Sequence, residues 1–204
     1  MFIVSWRKLY AGNNSKEEFC GLILNHIYMK IFRLLFFSFL FLFLIITGIS
    51  LLIPFHVRIS RAINVLGTPA EVWERLDNME EWKNWNPFFT AVSPDKIRYP
   101  EIVNGKPVTM EVKNTFIQWK EINSDEHIAV MQKPGYKPIL NGWKCISYAG
   151  TNSTTVQWYM DFQLRWYPWE KFASLLFEKS YGTRMEQGLS NIKNLVEADR
   201  VSFN

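Results

Sequence analysis

Residues 34–53 read LLFFSFLFLFLIITGISLLI, 20 positions without a charged side chain. At about 1.5 Å per residue this run makes a helix roughly 30 Å long, the thickness of a bilayer's hydrocarbon core. Core helices of globular domains rarely run that far without a charge, so a transmembrane helix is expected. A cleavable signal peptide carries a shorter apolar region, about 7–15 residues, that ends in small residues. This run ends Ser-Leu-Leu-Ile-Pro, which favours an uncleaved anchor.

The anchor divides the chain. A short tail is expected at 1–30, the transmembrane helix at 31–54, a folded domain at 55–199 and a second tail at 200–204. Met29 opens MKIFRLLFF, a methionine, a short basic region and then the apolar run. Met29 is therefore an expected alternative start, with residues 1–28 as an upstream extension. Arg7, Lys8, Lys16, Lys30 and Arg33 precede the run, and Arg58 and Arg61 follow it. Positive-inside counting then places the N-terminus in the cytoplasm and the domain on the non-cytoplasmic side.

The net charge of +4 does not mark a nucleic-acid binder. Residues 1–54 hold five Lys/Arg against two Asp/Glu, whereas residues 55–204 hold 18 against 17. The basic excess flanks the apolar run and the domain is nearly neutral, so no nucleic-acid partner is expected. The two cysteines, Cys20 and Cys145, lie on opposite sides of the run. No disulfide framework, metal-ligand cluster or cofactor motif is present, and no metal or cofactor is expected. The oligomeric state is left open.

Residues 55–65 alternate as a half-buried strand, with Val57, Ile59, Ile63 and Val65 on one face. Thr68-Pro69-Ala70-Glu71 is a capping box with proline at the first helical position, so a helix is expected from Pro69 to about Asn78. A second short helix, about 79–82, breaks ahead of Pro87. From about 88 to 167 the pattern is strands. The clearest is the last, with Val156, Trp158, Met160, Phe162, Leu164 and Trp166 on one face, and Gln157, Tyr159, Asp161, Gln163 and Arg165 toward solvent. A helix from Pro168 through Lys179 follows. Thr183-x-x-Glu186 predicts a new cap for a long helix with Met185, Leu189, Ile192 and Val196 on one face. The expected class is α+β.

Three stretches carry a resemblance: RISRAINVLGTPAEVWERL, EEWKNWNPF and YGTRMEQGLSNIKNLVE. They resemble the opening strand and helix, the W-x-x-W-N-P segment and the C-terminal helix of the START-like (SRPBCC) superfamily. That superfamily includes Bet v 1-like and polyketide cyclase/dehydrase-like proteins. The resemblance covers about residues 55–199. It implies a helix-grip fold, a curved antiparallel sheet around a long C-terminal helix, preceded here by one transmembrane helix. It also implies an internal cavity for a lipid or other hydrophobic molecule.

The expected cavity wall is Trp85, Phe88, Trp119, Met131, Trp143, Trp158, Met160, Phe162, Met185 and Leu189, since aromatics give broad contact and methionines adapt to irregular apolar shapes. His127, next to a turn, is read as a solvated edge residue, and Tyr148 and Tyr159 lack a pairing base. No catalytic residues are assigned, and an enzyme has no positive support. The expected function is a membrane-anchored domain that binds or carries a hydrophobic small molecule or lipid. The alternative is a polyketide cyclase or hydrolase-like enzyme on the same fold. A protein-interaction module would instead expose Trp82 and Trp169.

Overall fold

The computed structural model describes residues 6–148 and 150–202, with the backbone alone for 6–25, 201 and 202. The chain divides after residue 52 into two compact units. The first is helix α1, Trp6–Leu51. It begins well inside the expected tail, because no proline occurs before Pro54 to break the hydrogen-bond ladder. Within it, His26–Leu51 is long and apolar enough to cross a membrane by length and composition, the one such helix among the described residues.

The second unit is an α+β helix-grip domain. Its large sheet has seven antiparallel strands in the order β1-β9-β8-β7-β6-β5-β2. Strand β1 is His56–Leu66 and β2 is Ile97–Arg98. A separate two-stranded hairpin pairs β3, Ile102–Val103, with β4, Lys106–Pro107. The remaining strands are β5 Thr109–Val112, β6 Thr115–Ile122, β7 Glu126–Gln132, β8 Ile139–Ser147 and β9 Ser153–Gln163. Helix α2, Pro69–Asp77, starts at the expected capping box: Thr68 Oγ1 accepts from the Glu71 N–H and the Thr68 N–H donates to Glu71. Helix α3, Trp82–Trp85, runs three residues past the expected end.

Helix α4 is Pro168–Ser174 and helix α5 is Thr183–Ser202. The expected cap at Thr183 does not form. Residues Glu178–Gly182 make a wide helical turn that runs directly into α5, and the Thr183 hydroxyl donates back to the Lys179 carbonyl. Arg61 of β1 explains the difference: its guanidinium pairs with both Glu178 and Glu186, which takes Glu186 away from a capping role. Gly182 leaves room for this clasp, since a Cβ there would lie 2.5 Å from Arg61 Nη2.

Strand β9 also stops earlier than its pattern predicts. It ends at Gln163, so Leu164 is buried but Trp166 is exposed. Asp161 does not face solvent. It is 4% exposed, because the register sets Arg58 directly opposite it. The guanidinium grips both carboxylate oxygens at 2.6 and 2.5 Å.

Candidate functional site

The space between sheet and α5 is filled by tryptophan. Trp82 and Trp85 come from α3, Trp143 from β8 and Trp158 from β9, and all four are fully buried. Their rings contact in sequence: Trp82 on Trp143 at 5.2 Å, Trp143 on Trp158 at 5.7 Å and Trp158 on Trp85 at 5.7 Å. Trp119 of β6 joins the edge of the cluster, 5.6 Å from Trp82. Asn141 accepts the Trp158 indole N–H at 2.5 Å, and the Leu76 carbonyl accepts that of Trp82 at 2.7 Å. The Trp85 and Trp143 N–H groups have no acceptor.

Beside this cluster lies an open cleft of about 660 Å³. Phe88 and Phe89, from the segment after α3, form one wall. Val112, Met131 and Ile139 of the sheet form the second, and Ala173, Leu176, Phe177 and Tyr181 the third. Phe88 packs on Tyr181 at 5.8 Å, and Phe162 stands behind, 4.8 Å from both Tyr181 and Phe177. Burial pushes the Tyr181 phenol above its ordinary range, so it stays a neutral hydrogen-bond donor. The charged groups on the lining are Lys113, Lys133 and Arg184, with no carboxylate among them. Arg184 sits over the Phe88 ring at 5.3 Å and Lys133 over Tyr136 at 5.1 Å. Lys113 has a φ of 54° in the two-residue turn between Val112 and Thr115. Glycine or asparagine is the usual occupant of that conformation, and side chains held there concentrate at functional sites.

Of the residues expected to line a cavity, Phe88 and Met131 face this cleft. Trp85, Trp119, Trp143, Trp158, Met160, Phe162, Met185 and Leu189 belong to the packed cluster behind it. The sequence offered no signal for Ala173, Leu176, Phe177 or Tyr181, whose place on the lining depends on the turn from α4 into α5. Trp82 is buried and Trp169 is 65% exposed, so the two indoles that an interaction module would expose are divided.

His127 is a correction. It is 4% exposed and lies inside the sheet, opposite Trp143 in the strand register. Its ring stacks on Trp73 of α2 at 3.7 Å, and Nδ1 lies 2.6 Å from an Asp77 carboxylate oxygen. The two atoms are close but lack the alignment of a hydrogen bond, so neither has a hydrogen-bond partner. Strand β7 begins at Glu126, so His127 lies within the strand and not on the turn before it. Tyr159 is paired. Its hydroxyl donates to Glu126 at 2.6 Å on the outer face of the sheet, away from the cleft. Burial and that carboxylate raise the phenol well above its usual range. Cys145, buried near Asp77, is pushed from 9.0 up to about 12, mainly by burial, and is unreactive as a thiolate at neutral pH.

A family profile described as polyketide cyclase / dehydrase and lipid transport matches residues 55–197. A START superfamily protein from Mycobacterium smegmatis has a similar structure, with 15% identity and a TM-score of 0.50, over 69% of this chain and 97% of its own. The Zhui aromatase/cyclase from Streptomyces sp. R1128 is similar at 13% identity and TM-score 0.50, over 70% of this chain and 94% of its own. The di-domain aromatase/cyclase StfQ of the steffimycin biosynthetic pathway matches at 10% identity and TM-score 0.52, over 72% of this chain and 52% of its own. At these identities the likeness is one of fold. No curated protein matches the chain.

Proposed function

The chain belongs to the polyketide cyclase/dehydrase and lipid transport family, and from that premise we propose that it binds or carries a hydrophobic small molecule or lipid in the open cleft. Residues 34–53 anchor it in a membrane, with the domain on the non-cytoplasmic side. The observation that carries this reading is the cleft itself: about 660 Å³, three apolar walls and a cationic rim. Clefts of roughly 300–1,000 Å³ with few polar groups suit small amphiphiles. Lys113, Lys133 and Arg184 favour one with an anionic head. These cations are exposed, so each is worth only about 0.2–1 kcal/mol to the ligand. Binding strength rests on the apolar body. Phe88 and Met131 contact the ligand, and Trp158 and Phe162 support the lining from behind.

Binding is favoured over the cyclase or hydrolase reading because the lining residues include no carboxylate or imidazole to act as a base. Mass spectrometry of full-length protein purified from its own host tests the proposal. About one amphiphile per chain is expected to be retained, and Ala173→Trp, which fills the cleft, is expected to release it without lowering the melting temperature. Recovery of empty protein alone, with no mass shift on adding oleic acid, would count against it.

A further inference from the structure

Outside α1, exposed large apolar side chains occur in several places, among them Leu66, Ile102, Ile122, Ile146 and Tyr148, and one group of them, which includes two tryptophans, gathers at a single end of the domain. Trp166, Trp169, Leu175 and Leu176 are each about 60% exposed, and Phe55 and Tyr136 are exposed too. These residues share one region of the fold. The Leu164 N–H donates to the Phe55 carbonyl at 2.7 Å. Arg165 reaches the Gly135 carbonyl at 2.6 Å and Lys137 the Leu164 carbonyl at 3.2 Å, which ties the loop carrying Tyr136 to the same place. On α4, Lys171 Nζ sits 3.6 Å from the centre of the Phe55 ring. Tyr167 stacks on Trp169 at 4.8 Å, so the exposed indole is held in a fixed pose.

Chain connectivity says what lies next to this end. The apolar run stops at Ile53, and Phe55 follows two residues later, at most about 7 Å of extended chain. Leu66, at the far end of β1, is roughly 35 Å farther along the strand. Tryptophan and tyrosine, each with an apolar ring and one polar group, collect at the level of lipid headgroups. Lys133, Lys137 and Arg165 lie at the same end, whereas the Glu170 carboxylate there is taken up by the Arg165 N–H. The chemistry is that of a face meeting phospholipid.

We propose that the segment Trp166–Leu176 docks into the headgroup layer of the bilayer in which residues 34–53 are anchored. The inference rests on the membrane reading above. It adds a consequence for the ligand. Leu176 belongs both to this face and to the cleft lining, and Tyr136 does as well. Docking therefore opens the cleft toward the membrane, and an amphiphile enters from the lipid phase rather than from water.

Nitroxide labelling of the full-length chain in phosphatidylcholine–phosphatidylglycerol vesicles tests this. Labels go on Trp169→Cys, Leu66→Cys and Phe43→Cys in a Cys20→Ser background, Cys145 being buried. The expected result is a label at 169 relaxed more by oxygen than by a water-soluble nickel chelate, with the reverse at 66 and deep burial at 43. A label at 169 that behaves like the one at 66, while 43 remains in the bilayer, overturns the docking face and leaves the anchor standing. Water exposure at 43 removes both. The Leu175→Cys label repeats the measurement should Trp169→Cys disturb α4.

Discussion

Trp82 and Trp85 lie three residues apart on one short helix and are both fully buried, yet they differ in one bond. Trp82 donates its indole N–H to Leu76, whereas Trp85 has no acceptor for its own. Trp85→Ala empties the centre of the aromatic cluster and is expected to cost about 3–5 kcal/mol in urea denaturation. Trp82→Phe and Trp85→Phe leave cavities of similar size, so the hydrogen bond decides between them. Trp82→Phe is expected to be the more damaging by about 1 kcal/mol. Equal losses would show that the Leu76 bond contributes nothing. Cys145 supplies a pH test. Its folded value near 12 lies above its ordinary 9.0, so from about pH 9 upward the unfolded chain releases a proton that the native state keeps. Stability is fully present below pH 9 and declines above it, by at most about 1.4 kcal/mol per pH unit. Denaturation midpoints from pH 8 to 10.5 should show this slope in the native sequence and a shallower one in Cys145→Val. At this scale the sequence was only half legible. Alternation sorted Asp161 and Tyr159 onto the polar face correctly. It could not supply the register that buries them under Arg58 and against Glu126, because pairing across strands is not written in either strand alone.

Elements with strong local chemistry were readable: the Thr68–Glu71 cap, the alternation of β1 and β9, and the apolar face of α5. The start of α5 was not, because a long-range contact overrides a local one there. Thr183-x-x-Glu186 has the spacing of a cap, but Glu186 is drawn to Arg61, 125 positions earlier in the chain. The clasp fastens the turn at 178–182 to the edge strand β1, and Arg61→Met keeps the aliphatic stem while removing both ion pairs. The two glutamates are mostly solvated, so about 1 kcal/mol of local stability is at stake. Amides of residues 178–186 should then exchange hydrogen roughly five-fold faster, with β7 and β8 unchanged. A uniform acceleration across the sheet would mean that the clasp stabilises the whole domain. The cleft was illegible for a related reason. Its third wall comes from the α4–α5 turn, and its depth is set by how far the tryptophans fill the interior, a packing outcome that composition does not fix.

For the whole molecule, the division after residue 52 raises the question of where the domain begins physically. Strand β1 begins at His56, one residue after the expected start of the domain, but the fold reaches further back. Lys171 is fully buried on α4, and its Nζ donates to the Ile53 carbonyl at 2.7 Å while lying over the Phe55 ring. A buried ammonium is tolerated only when such partners replace its water. A chain beginning at His56 would strip away both the carbonyl and the ring and leave the charge without a partner. A chain beginning at Ile53 would keep them. The chain from Ile53 is therefore expected to unfold cooperatively, and the one from His56 to be less stable by about 1–3 kcal/mol, the cost of an unpaired buried donor. Lys171→Met discriminates the cause. It should recover most of the loss in the chain from His56 and gain nothing in the longer one, since a methionine of similar length needs no acceptor. Equal stability of the two chains would show that Lys171 reaches solvent once Ile53 is gone, and would move the boundary of the domain to the strand itself.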